Sequence, residues 1–104
     1  MNIRYVKHVN VDNGNTEFLL VNYDFRDGIE IVADYFKEKY SMNIKDVIDG
    51  IWFKMIKLED TEKEYHLYWD EDSGNYLLSV QQDDASIHNL ENKVIEAVEY
   101  LNKV

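Results

Sequence analysis

The chain has no cysteine and no proline, and only four of its 104 residues are glycine. Without cysteine there is no disulfide framework, no thiolate metal site and no thiol nucleophile. That usage fits a reducing compartment, and the expected location is cytoplasmic. Without proline, breaks between elements must be read from Asn, Asp, Ser and Gly. Bases are scarce as well: 11 Lys and Arg face 21 Asp and Glu, a net charge of −10. Small soluble domains commonly carry a net charge of magnitude ~2–8, so this excess goes beyond solubility needs. The acidity argues against nucleic acid or an anionic membrane as a direct partner, because both repel it. No apolar run approaches the ~20 residues needed to span a bilayer. Residues 1–8 lack the apolar core of a secretion signal, so none is expected.

What is present is enough for a core. Hydrophobic residues make up 45% of the chain and aromatics 13%, unlike an acidic disordered tail. Length and composition predict a single compact domain over residues 1–104. The charge is concentrated. Between residues 59 and 84 stand nine acids and one base, so that segment carries −8 of the −10.

The apolar pattern predicts the elements. Ile3, Tyr5 and Val9 fall on one side of a first strand over 3–9. Asn13-Gly14 is a hairpin signal, since both residues tolerate positive φ. A second strand covers 17–23 and is apolar on both sides. Asp27 and Glu30 have capping-box spacing at the start of a helix that runs to about Tyr40, with Asp24 as a rival cap. Ile29, Val32, Ala33, Phe36 and Tyr40 form its apolar stripe. Asn43 then caps a short turn with Ile44, Val47 and Ile48 inward, closed by Gly50. Three strands follow, at 51–58, 64–70 and 76–81, joined by short acidic loops. A last helix begins near Ser86 with Ile87, Leu90, Val94, Ala97, Val98 and Leu101 on one face. The expected fold class is α+β, in the order β-β-α-β-β-β-α. It is a five-stranded, mainly antiparallel sheet with the helices packed on one face.

Motifs for chemistry are weak. His8, His66 and His88 have no ligand spacing. Asp83, Asp84 and His88 could meet near a helix start, where capping accounts for both aspartates. The run from Asp70 to Asn75 fails as a calcium loop, with glycine fifth rather than sixth and Gln81 at the twelfth place. A hairpin turn with Gly74 at positive φ explains it better. Glu91-Asn92-Lys93 repeats a nuclease Glu-x-Lys spacing but lies in a helix with no accompanying strand-borne acid. No nucleophile elbow or phosphate loop is present. No catalytic, cofactor or metal residue is assigned, and the expectation is a protein that is not an enzyme.

The aromatics carry more information. Tyr65, Leu67 and Trp69 alternate with His66 and Tyr68, and both sets cannot be buried in a sheet covered on one side. If the first set packs on the helices, His66 and Tyr68 face outward beside the acids. Trp52 likewise opposes Phe53 and Met55 across the pleat. Aromatic anchors within an acidic rim suit protein binding. The candidate partner-binding residues are Tyr68, Asp70, Glu71 and Asp72 at one hairpin, then Glu59, Asp60 and Glu62 at the other. Cover by the 41–50 segment, by a helix or by a second copy is the alternative, so a monomer or a homodimer is expected.

With its acidic aromatic hairpins, such as Tyr68-Trp69-Asp70-Glu71-Asp72, its α+β order and its lack of cysteine, the whole chain resembles small acidic immunity proteins of bacterial toxin systems, including contact-dependent growth inhibition. The resemblance implies a cytoplasmic inhibitor that binds a basic toxin domain, such as a nuclease, and blocks its active site. It assigns no residue. Two rival expectations are a nucleic-acid mimic that inhibits a DNA-binding enzyme and a housekeeping interaction domain.

Overall fold

The computed structural model describes residues 2–104. Eight elements follow one another along the chain. They are β1 (Arg4–Val9), β2 (Thr16–Val21), α1 (Gly28–Tyr40), β3 (Asn43–Asp49), β4 (Phe53–Glu59), β5 (Glu64–Asp70), β6 (Gly74–Ser79) and α2 (Asp84–Lys103). The six strands form one antiparallel sheet in the order β1-β2-β6-β5-β4-β3. The α+β class and the two helices are as the sequence predicts; the sheet has six strands rather than five.

The sixth strand is the segment expected to be a short turn. Asn43 opens a strand instead of capping a turn, because α1 ends at Ser41 in the left-handed conformation, φ 56°, and the chain reverses there. Ile44, Val47 and Ile48 do not point into a core. They are 43%, 46% and 36% exposed on the outermost strand. A register shift between Ile44 and Asp46 inserts one extra residue, Lys45. Ile44 and Val47 therefore share a face although they stand three apart, which imitates helical spacing.

The alternation of β5 resolves as expected. Tyr65 and Leu67 are fully buried under the helices, with Ile56, Leu58, Phe18, Leu20 and Leu77 from neighbouring strands. The helices supply Ile29, Val32, Ala33 and Phe36 from α1 and Leu90, Val94, Ala97 and Leu101 from α2. Burial of this kind contributes ~1.5–3 kcal/mol per large side chain. Gly74 sits at φ 76° and Gly14 at φ 75°, so both hairpins use glycine where the turn requires it.

The start of α1 differs from expectation. Asp27 makes no side-chain cap bond. Glu30 turns away to pair with the Lys54 ammonium on β4, so the capping box does not form. Lys54 is only 6% exposed, and an ammonium buried to that degree needs a counter-charge more than the helix needs a second cap. Replacing Glu30 with Ala is expected to destabilise the fold by ~1–3 kcal/mol, since it strands a buried donor. Urea unfolding would measure this, and an unchanged midpoint would show that Lys54 finds other solvation. α2 begins at Asp84, near Ser86 as the sequence predicts. Asp83 is its cap, accepting from the Ser86 amide at 3.1 Å and the Ser86 hydroxyl at 2.7 Å.

Candidate functional site

Both helices lie on one side of the sheet, and among the described residues no element covers the other side. Side chains alternate across the pleat, so the register defines what this open face presents. One row runs across all six strands: Val6, Leu19, Tyr76, Tyr68, Met55 and Ile48. It is apolar or aromatic throughout. At ~4.8 Å per strand it extends for ~24 Å. Tyr68 and Tyr76 stack with centroids 4.9 Å apart and planes at 8°. The next row is polar apart from Leu78: His8 and Glu17 on β1 and β2, then Leu78, His66, Lys57 and Asp46. Glu17 is nearly buried and takes bonds from His8 at 3.1 Å and Asn10 at 3.3 Å.

Charge on this face is organised by few groups. His66 bridges Glu64, at 2.6 Å, and the Tyr68 hydroxyl, at 3.4 Å. Lys45, the bulged residue, reaches Glu64 at 2.7 Å. Hydrogen bonds from Lys45 and then His66 hold the Glu64 carboxyl below its usual range. Desolvation raises the Tyr76 phenol to about 12, with Glu17, Tyr68 and Asp70 adding to the shift. Desolvation, then Glu17, also raises Tyr68. Both phenols are therefore neutral hydroxyls on the face at neutral pH.

The seven candidate residues divide. Tyr68 lies at the centre of the apolar row. Asp70, Glu71 and Asp72 stand at the β5–β6 turn, where the Asp70 carboxylate accepts from the Asp72 amide at 2.8 Å. Glu59, Asp60 and Glu62 stand at the opposite end of β5, ~20 Å away along the strand. They form the β4–β5 turn, where Asp60 is a structural residue. Its carboxylate accepts from the amides of Glu62 at 2.9 Å and Lys63 at 2.8 Å, and from the Tyr65 hydroxyl at 3.4 Å. The acidic hairpins do not make one continuous patch.

The Asp70 end gains residues that sequence reasoning did not include. β3 and β4 are joined by a two-residue tip, Ile51-Trp52, closed by the Gly50 amide donating to the Phe53 carbonyl at 2.9 Å. Hairpin tips ordinarily carry Gly, Asn or Asp. Here Ile51 is 78% exposed and Trp52 65%. The Glu71 amide donates to the Trp52 carbonyl at 3.0 Å, which fastens this tip to the acidic turn. Phe53, 43% exposed, pairs across the ladder with Asp70. Arg26 holds the tip from below, donating to the carbonyls of Ile51 at 3.0 Å and Gly50 at 2.7 Å, pairing with Asp49 and stacking on Trp69. Asp24 joins the same end. Asn75, fully buried, pins the adjoining loop by donating to the Tyr23 carbonyl at 2.9 Å and the Phe25 carbonyl at 3.0 Å, and Trp69 Nε1 donates to the Asp24 carbonyl. The outcome is an exposed run, Ile51-Trp52-Phe53, beside the acidic turn of Asp70, Glu71 and Asp72, with Phe53 on the same face of β4 as Met55.

The Glu-x-Lys residues are occupied structurally. Glu91 accepts from the Tyr5 hydroxyl at 2.7 Å and Lys7 at 3.4 Å, while Lys93 donates to Asn89. Among the described residues no three His, Asp or Glu side chains gather as a metal-binding group, and no helix is long and apolar enough to cross a membrane. Comparison of the chain with protein-family models, curated proteins and solved structures finds no match.

Proposed function

We propose that this chain is a binding protein that docks a basic protein domain on its open sheet face. The immunity-type inhibitor of a toxin, such as a nuclease, is the reading that fits best. The observation that carries it is the Ile51-Trp52 tip, two exposed apolar residues at a turn, fixed beside Asp70, Glu71 and Asp72. Exposed apolar clusters rimmed by polar residues mark interaction sites. Trp and Tyr in a desolvated centre supply most of the affinity at such surfaces. The acids would steer a cationic partner and reject acidic ones. A toxin that acts on nucleic acid needs a positive groove for phosphates, and that groove is the complement of this rim. Face-to-face pairing of two copies would instead bring two −10 chains together, which the same electrostatics opposes.

Affinity capture from the source cell, with the wild-type chain and two variants as bait, tests the reading. Wild type should retain a basic protein whose toxicity it suppresses on co-expression. Trp52→Ala should weaken that complex at least ~30-fold, the effect of losing ~2 kcal/mol at an anchor. Asp70→Lys with Asp72→Lys should weaken it and flatten its salt dependence. Capture of a DNA-binding enzyme would move the assignment to the mimic. Equal retention by wild type and both variants would remove the site.

A further inference from the structure

A second surface lies on the helix side, at the edge of the sheet. All seven residues of β3 are exposed, and its outer side pairs with no strand. The ladder to β4 fixes which of its backbone groups are free. Gly50 is bonded to Phe53, and antiparallel pairs alternate between bonded and unbonded. Ile48 and Asp46 therefore bond inward to Met55 and Lys57, while Val47 and Asp49 turn their amides and carbonyls outward. One contact agrees independently. The Val47 amide donates to the Asp46 carboxylate at 2.9 Å, a side chain standing in for an absent strand.

Beside this edge, between β3 and α1, runs a cleft of about 230 Å³. At ~30 Å³ per water it has room for one large aliphatic side chain. Ala33, Ile44, Val47 and Ile56 make its floor and mouth apolar; Glu30 and Asp34 stand on its α1 wall, and Glu30 is already paired with Lys54, which also lines it. Edge strands normally carry charge where they are free; β3 carries Lys45, Asp46 and Asp49 and yet leaves Ile44 and Val47 uncovered at the mouth of a cleft.

We infer that the β3 edge and this cleft bind an extended segment of a protein partner in which apolar and basic residues alternate. Added antiparallel to β3, such a segment accepts from and donates to Val47 and Asp49. Every second side chain faces α1. These are the apolar ones, and one of them fills the cleft. The intervening side chains, the basic ones, face Asp46, whose carboxylate the incoming carbonyl displaces from the Val47 amide and frees to pair with a base. The two edges of the sheet differ in sign, which selects between them. β1, the other edge, carries Arg4 and Lys7 and no acid, and repels a basic segment. This inference stands apart from the toxin reading, since it uses none of the residues at the Trp52 tip.

Titration of the isotope-labelled chain with two blocked synthetic peptides, KVKVKVK and EVEVEVE, followed by amide spectra, tests it. The lysine peptide should shift Val47 and Asp49 and slow exchange of their amides at least ~10-fold, while the glutamate peptide leaves them unchanged. Val47→Pro removes an outward amide and no ladder bond, so it should abolish the effect with the β4, β5 and β6 signals in place. Asp46→Lys should weaken binding of the lysine peptide without removing a ladder bond, which keeps the test open if the proline variant does not fold. Shifts confined to Trp52 and Tyr68, equal response to both peptides, or none at β3 would overturn the inference. So would self-association of the chain alone through this edge, because a second copy's β1, itself basic and apolar, would then be the occupant.

Discussion

Between pH 10 and 12 the protein is expected to unfold in one cooperative step, with tyrosine ionisation and loss of secondary structure coinciding. Desolvation raises Tyr23 and Tyr65 from 10.0 to about 12. Tyr76 rises equally, desolvation again being the largest cause, with Glu17 and its neighbours assisting. Burial, then the hydrogen bond to Glu96, pushes Tyr40 up as well. The sign follows from proton counting. Below pH 10 both states hold these protons, and the stabilisation is fully present. Above it the unfolded chain releases them while the native fold retains them, so stability falls as pH rises through 12. A shift of two units is worth at most ~2.7 kcal/mol per group. That ceiling suits Tyr23 and Tyr65, which are 4% and 0% exposed; the half-buried Tyr76 contributes less. Together they rival the ~5–15 kcal/mol that holds a domain folded. Phenolate absorbance and far-ultraviolet circular dichroism, recorded over the same pH series, decide it. Gradual ionisation with unchanged dichroism would mean that the buried rings reach solvent without unfolding.

Most of the fold is legible in the sequence because most elements follow one period. The stripe from Ile29 to Phe36 and the alternation of Tyr65, Leu67 and Trp69 each name one buried face, and the structure buries those faces. β3 escaped for a physical reason. A bulge at Lys45 breaks period two, and an exposed edge strand has no buried face to enforce it. The capping box failed for another reason. Glu30 had a partner, Lys54, 24 residues away, and no local pattern announces a contact across elements.

The same blind spot hid half the candidate site. With β3 read as a turn, Ile51 and Trp52 fell inside a strand, and nothing marked them as a hairpin tip. Once β3 pairs with β4, the tip is forced to the Asp70 end of the sheet, beside acids that were evident from charge alone. Charge density could not tell the two acidic hairpins apart either. Distinguishing them takes the hydrogen bonds of Asp60, which close a turn, and the exposed aromatics next to Asp70.

Tyr65 joins the core to the β4–β5 turn, and truncating it should show how far the fold depends on that junction. Tyr65→Ala empties a fully buried site between sheet and α2 and should cost ~3–5 kcal/mol, as for other large aromatics. It also leaves Lys93, whose ammonium lies 5.8 Å from the Tyr65 ring centroid, facing a cavity. Burial already lowers the Lys93 pKa, so losing the ring's negative face removes part of what offsets that desolvation. Tyr65→Phe keeps the ring and loses only the hydroxyl, which donates to Asp60 at 3.4 Å and accepts from Asn89 at 3.3 Å. At those lengths the bonds are weak, and the loss should be ~0.5–1.5 kcal/mol. The phenylalanine variant also removes one raised phenol, so its alkaline midpoint should rise relative to its stability at neutral pH. Urea unfolding of both variants at neutral pH, followed by the alkaline titration, separates packing from ionisation. Equal losses in the two variants would make the hydroxyl, rather than the ring, the group that matters.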